Sequence, residues 1–374
     1  MTWALIPELS LSCPAMHHTY LCYDAYIKLR RNRDHAMTLN DDEMTMTMTL
    51  HLLINELTES SCNDHCVAQR SRSLHVLFIS LLSVLIFAPQ YASATPDQFW
   101  RHWSDGQAEV SAFRITQPRY GQNREGLAFL IYVTEPFSKG RSVKIDRYDR
   151  DNPDHTIALK LNRIEEWRTG MYKYRLMTSH FFDTQDQLNP LKSVFSSQEW
   201  CGVTYEEFLW DRSHVDVSIK SYFDGESAEL RLSKPHHLID SLWMMGRGLM
   251  VGGPQKVRSW PTSWIESSKR RRLKHRPLKP FDPEPQWENA SDQMTSQSGD
   301  PSVSTLRFRR ASQDTCRLKI QNTSPYQVIG WRCDRGERAT LLGSARMPYW
   351  NMSKLSDTEQ LKQLGVTPAM RIYK

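Results

Sequence analysis

Beyond residue 95, apolar and polar positions alternate in short runs separated by turn residues, the period-two pattern of half-buried strands. Val143 and Ile145 alternate with Lys144 and Asp146, and Ile157, Leu159 and Leu161 alternate with Ala158, Lys160 and Asn162. Val215, Val217 and Ile219 face one way while Asp216, Ser218 and Lys220 face the other. Such strands belong to an antiparallel sheet that is wet on one side. Residues 126–133 are apolar on both faces, which predicts a central strand. Asp224-Gly225, ahead of the Leu230/Leu232 alternation, predicts a hairpin turn.

Helical signals are few. Thr95-Pro96-Asp97-Gln98 has the form of a capping box with proline at the first helical position. Ser356-Asp357-Thr358-Glu359 forms a second, closed by Gly365, and a third helix is predicted from Pro235 to Met245, ended by Gly246. The fold class that follows is mostly β: an antiparallel, strongly curved sheet or partly open β-barrel with a few short helices, since curling disposes of exposed edges.

The first 94 residues stand apart. Arg70 and Arg72 precede the apolar run from Leu77 to Ala88, and Ala92-Ser93-Ala94 then offers a small-residue cleavage site, together a secretory signal over 70–94. The run is shorter than the roughly 20 residues of a spanning helix, so cleavage is favoured over a retained membrane anchor. Residues 1–69 lack periodicity and read as a non-native or disordered leader, with translation starting near Val67 or a nearby methionine. The exported part, about 280 residues, divides into an antiparallel β domain over 95–265, a basic then Pro/Ser-rich linker over 266–304, and C-terminal hairpins over 305–374 that complete the sheet, with a short helix. Its expected location is the periplasm or the exterior, peripheral to the envelope.

Charge matters through its placement. Lysine and arginine exceed aspartate and glutamate by 48 to 42, a small excess, but Lys269, Arg270, Arg271 and Arg272 stand together. Export excludes nucleic acid as their partner; a solvated linker, or contact with an anionic membrane surface, remains. A four-residue loop over 323–326 would set Cys316 opposite Cys333, Leu318 opposite Trp331 and Ile320 opposite Ile329, positioning the cysteines for a disulfide in an oxidising compartment. The leader residues Cys13, Cys22, Cys62 and Cys66, with His17, His18 and His65, fit no standard zinc spacing, and neither metal nor cofactor is expected.

A succession of motifs carries a resemblance. Phe99-Trp100-Arg101-His102-Trp103-Ser104-Asp105-Gly106-Gln107-Ala108-Glu109 is followed by Leu159-Lys160-Leu161-Asn162, then Thr169-Gly170-Met171-Tyr172 with Met177-Thr178-Ser179, then Ser196-Ser197-Gln198-Glu199-Trp200-Cys201-Gly202. The succession resembles an uncharacterised family of exported bacterial proteins and covers most of 97–225. Members sometimes carry a label borrowed from septum-formation inhibitors of the Maf type; this chain lacks the Ser-Pro-Arg-Arg motif and α/β pattern of those enzymes. The resemblance implies export and a β fold, and no activity.

For chemistry, the candidates are a Cys201 thiolate or the Glu199 carboxylate, with His180 among the histidines able to act as base in a hydrolase. The competing expectation buries Cys201 in the core, with Glu199 paired to an arginine. Trp200, Tyr172, Tyr174 and Phe181 are candidate binding residues for an apolar or lipid-like ligand in a concave face. The expected role is non-catalytic: binding an apolar or amphipathic envelope component, or assisting envelope maintenance. The signal reading makes one direct forecast: N-terminal sequencing of the exported product starts at Thr95, and a product retaining residues upstream of Ala94 sinks it.

Overall fold

The computed structural model describes residues 96–186, 188–233, 236–288, 302–311 and 314–370. The leader, its cysteines and the signal segment lie outside the described residues. Helix α1 (Pro96–Trp103) leads into strands β1 (Ala108–Arg119), β2 (Gln122–Ser138), β3 (Val143–Lys144), β4 (His155–Thr169), β5 (Tyr172–Asp183), β6 (Asn189–Glu199), β7 (Gly202–Trp210), β8 (Val215–Ser221) and β9 (Ala228–Leu232). An inserted segment carries β10 (His237–Leu238), α2 (Leu242–Met245), β11 (Trp264–Ile265), α3 (Ser268–Lys274) and β12 (Pro280–Phe281). Then come β13 (Gln286–Trp287), β14 (Val303–Arg310), β15 (Asp314–Gln321), β16 (Val328–Cys333) and β17 (Arg338–Met347).

One large antiparallel sheet runs β13-β14-β15-β16-β17-β1-β2-β4-β5-β6-β7-β8-β9, with β3 attached to β2. Because β17 pairs with β1, the last strands complete the sheet begun by the first. The run from 126 to 133 is central as expected: β2 is seventh of the thirteen strands on this path. Both of its faces are covered. Leu130 and Tyr132 join the inner core with Phe113, Leu161, Trp167, Phe195, Phe308 and Trp331. Leu127, Ile131 and Val133 join an outer core with Val110 and Met347 beneath Leu364 and Val366 of the C-terminal segment.

The sheet curls around residues 236–281. Tyr132 on β2 donates a 2.9 Å hydrogen bond to the Trp243 carbonyl, while the Trp243 ring meets Phe308 of β14 and Trp331 of β16 edge-on, with centroids 5.9 and 5.7 Å apart. A segment that touches β2, β14 and β16 together must lie inside the curve. Strands β13 and β9 do not pair, so the barrel stays open; β9 carries the outward charges Glu229 and Arg231, which discourage further strand addition.

Several local expectations need correction. Helical structure begins at Ile239, not Pro235, because His237 and Leu238 are held as a strand against Trp264 and Ile265. The C-terminal helix is a 3₁₀ helix, Leu355–Leu364; its cap uses the Asp357 carboxylate, which accepts from the Lys354 N–H at 2.8 Å, and Gly365 ends it with φ +67°. Cys316 faces Cys333 and Leu318 faces Trp331, with the two sulfurs at bonding distance, but an irregularity after Lys319 puts Ile320 opposite Val328 in place of Ile329. The linker expected from residue 266 does not begin there: residues 266–288 supply α3, β12 and β13 and pack against the sheet. The rest of its Pro/Ser-rich part, 289–301, lies outside the described residues.

Arg247 pins the insert to the first strand. It is fully buried, and its guanidinium donates to both Glu109 oxygens at 2.8 and 2.9 Å and to the carbonyls of Tyr326 (2.9 Å) and Pro325 (2.6 Å), with the Tyr132 ring 4.3 Å away. Burial alone would raise the Glu109 carboxyl; the Arg247 charge overrides it and holds the group below its ordinary value. Removing one partner of such a pair leaves an uncompensated charge. Glu109→Gln is therefore expected to cost about 3–5 kcal/mol in urea unfolding, and the double change Glu109→Leu/Arg247→Met distinctly less; a single variant as stable as the parent contradicts the pairing.

Candidate functional site

Four consecutive cations occupy α3, and successive residues on a helix point about 100° apart, so each meets a different wall of the curved sheet. Lys269 reaches Glu165 on β4 at 2.8 Å and Glu337 at 3.2 Å. Arg270 lies 3.5 Å from both Glu266 and Asp314. Arg271 pairs with Glu206 on β7, and Arg272 with Glu199 on β6. All four are buried. Their expected place on an anionic surface is thus corrected: the side chains lie inside the sheet, their long apolar stems among core residues and each head on a carboxylate.

The acidic partners feel this arrangement unequally. Around Glu337, burial is outweighed by Lys269, Arg310 and Arg163, which hold its carboxyl well below the ordinary range. For Glu206 and Glu266 burial wins over Arg271 and Arg270, and both carboxyls are raised. Arg163 on β4 joins the network through Glu165 (3.1 Å), Asp240 (3.6 Å) and Glu337 (3.7 Å), its guanidinium 4.3 Å from the Trp243 ring centre.

Next to this network, under the β1–β2 turn, lies a cavity of about 330 Å³. Arg119, Tyr120 and Lys274 line its mouth, and Arg163, Asp240 and Trp243 its depth. Buried polar atoms on its lining without a hydrogen-bond partner among the described residues include Arg163 Nε, Trp243 Nε1, Asp240 Oδ2 and Gln117 Oε1. Buried polar groups are normally satisfied, by ordered water where no protein atom serves. Burial lowers the pKa of the Lys274 ammonium, and the neighbouring charges of Arg270, Arg119, Arg335 and Arg276 lower it further. The mouth is thus lined by cations.

The expected catalytic residues are not brought together. Cys201 is a free, exposed thiol in the turn after β6, against the expectation of burial, because the alternation stops at Glu199 and residues 200–201 form the turn. Glu199 is held by Arg272, as the competing expectation required of an arginine. His180 is buried on β5, six residues along the strand from Tyr174, which is about 20 Å from the Glu199 end of the sheet. Burial pushes its pKa down to about 4, and its Nε2 has no hydrogen-bond partner among the described residues.

Of the candidate binding residues, three converge. Tyr120 and Tyr174 hydroxyls lie 2.9 Å apart, the Tyr172 hydroxyl donates to Tyr120 at 3.3 Å, and the Tyr172 and Trp200 rings are 6.3 Å apart. Arg119 donates to the Tyr174 hydroxyl at 2.9 Å. Phe181 does not belong with them: it faces outward near the other end of β5, 5.2 Å from Phe137. Asp314, Cys316 and Cys333 gather within 4.8 Å, but bonded sulfurs and a carboxylate engaged by Arg310 make a poor metal donor set.

No family model, curated protein or solved structure matches the chain.

The acidic half of the network escaped the sequence reading, although it left a signal. Arg163, Glu165 and Trp167 continue the parity of Leu159 and Leu161, so charged side chains fall on an apolar face, a pattern that calls for buried partners. The depressed pKa of His180 fixes a pH dependence. Between about 4 and the ordinary 6.5 the unfolded chain binds the proton and the fold does not, so stability rises with pH across that window. With 1.36 kcal/mol for each unit, His180 contributes roughly 3 kcal/mol of this slope. His237, also lowered to about 4, adds to it. Thermal melts from pH 4 to 7 should show the rise, and His180→Phe should flatten it; an unchanged slope rules His180 out.

Proposed function

We propose that this chain is an exported, non-catalytic envelope protein that binds an amphipathic component by its anionic head group in the cavity under the β1–β2 turn. The single observation that carries the reading is the pairing of a cationic mouth, Arg119 and Lys274, with inner N–H donors on Arg163 and Trp243 that no described protein atom accepts. An anionic oxygen supplies what those donors lack, a hydroxyl of the same head group can donate to Asp240 Oδ2 and Gln117 Oε1, and charge-assisted hydrogen bonds are the strong ones.

Two further observations support it. The inner face of the sheet is filled by residues 236–281, which narrows the sequence-based idea of an apolar ligand in the concavity to one whose tail stays outside. His180 lies far along the sheet from the turn that holds Cys201, and Glu199 beside it is paired with Arg272, which argues against the hydrolase alternative, since a thiolate nucleophile needs a base within hydrogen-bond reach. Export rests on the signal reading of 70–94 and on the motif resemblance to exported bacterial proteins.

Glycerol 1-phosphate serves as a soluble head-group probe. It is expected to raise the melting temperature of the parent, with Lys274→Gln binding about tenfold more weakly, as loss of one charged hydrogen bond implies. Native mass spectrometry of protein taken from its own envelope should show a co-purifying acidic amphiphile. A parent that does not respond to the probe, or a Lys274→Gln variant that responds equally, overturns the reading.

A further inference from the structure

Four hairpins that follow one another along the sheet turn at one end, beside the β16–β17 turn. The β1–β2 turn lies at Tyr120-Gly121, the β4–β5 turn at Gly170-Met171, the β6–β7 turn at Trp200-Cys201, and the β8–β9 connection over 222–227. Cross-strand register holds them level: Gly126 faces Trp167, Arg175 faces Gln198, and Thr204 faces Ser221.

These turns carry large hydrophobic side chains into solvent. Met171 is 83% exposed, Trp200 71%, Tyr222 68%, Tyr120 57% and Val203 55%. They account for five of the twelve exposed large hydrophobics among the described residues, so the end of the sheet is enriched and not merely sampled. They also form one strip. Tyr120 meets Tyr172, Tyr172 meets Trp200, and Tyr222 lies over Gly202, where a Cβ would overlap its ring. Phe223 continues the strip, its ring 5.1 Å from His275.

Positive charge is in excess around the strip. Arg119, Arg168, Lys173, Lys274, Arg276 and Arg335 stand at the same end, against Glu125, Asp224, Glu226 and Asp334. Groups of both signs are engaged there, Glu226 by His275 and Asp334 by Arg317 among them, so the excess is one of number.

We infer that this rim docks on the surface of an anionic lipid bilayer. Trp200, Tyr120 and Tyr222 sit at the level of the head groups, where amphipathic rings are favoured, with Val203 just behind them in β7, and Met171 at the tip of its turn reaches the acyl boundary. The surrounding cations meet the negative surface potential. The strip stands on the turns of four hairpins, and a fluid bilayer needs no matching groove to meet it. The rim shares Arg119, Tyr120 and Lys274 with the cavity mouth, so the variants that test it, at Trp200, Met171, Arg276 and Arg335, lie outside the cavity lining.

The full chain is co-sedimented with phosphatidylcholine vesicles and with vesicles that also contain phosphatidylglycerol. The parent should bind the anionic vesicles, less so as salt rises. Trp200→Ser/Met171→Ser should lower partitioning more than tenfold, and Arg276→Gln/Arg335→Gln should lower it about fivefold per charge removed, on anionic vesicles only. Circular dichroism confirms that the variants fold, and hydrogen exchange of the unaltered parent with vesicles should show protection at 119–122 and 199–203. Variants that partition like the parent place binding elsewhere, for example on the apolar run 77–88, and overturn the inference. Equal binding of the parent to neutral vesicles, or no protection at those turns, does the same. Intact glycerol 1-phosphate binding alongside lost vesicle binding isolates the rim from the cavity.

Discussion

Four adjacent cations inside a protein are tolerable only if each is neutralised, and the interior of this sheet is arranged around that demand. Taking one such charge out of water costs several kcal/mol, so a helix reading Lys-Arg-Arg-Arg packs only where carboxylates already wait. They come from β4, β6, β7, β15 and the turn before β17, which means that the curve of the sheet and the position of α3 specify each other. A slip of α3 by one residue would rotate every charge away from its partner. Buried ion pairs of this kind add little net stability over apolar packing, but they penalise alternative registers heavily.

The same filling decides what the molecule can hold. A curled sheet with an empty interior would take an apolar guest; here Trp243, Phe308 and Trp331 occupy that space together with the ion pairs. What is left open lies at the end where the β1–β2 turn passes over α3. Cavity, cationic mouth and aromatic turns therefore share one pole of the fold. The opposite pole, with the β7–β8 turn at 211–214, carries polar contacts such as those of Asp211 with Ser213.

Strand character, the central position of 126–133 and the facing of Cys316 and Cys333 were legible in the sequence, because each depends on local alternation and turn chemistry. The slip of Ile320 was not, since a one-residue irregularity leaves the alternation on either side intact. The burial of α3 was hidden for a different reason: Glu206, Glu199 and Glu165 lie 65, 73 and 104 residues from their partners, so a local reading sees only a hydrophilic run. Tyr172 and Tyr174, which stood out in the sequence, only touch Tyr120 at the cavity mouth, and the cavity floor, Arg163 and Asp240, is assembled from a strand and the insert. Cys201 was misread by extending a strand two residues past its turn.

The pairing of β17 with β1 has a consequence for the birth of the chain. Asp314 and Glu337 are made after α3, and β17 must travel back to the first strand before the sheet is whole. Until the last third has been synthesised, the helix has incomplete counter-charges and cannot settle inside. A polypeptide cut short there would display its arginines to water and to proteases, so completeness of the chain is checked by the electrostatics of its own centre.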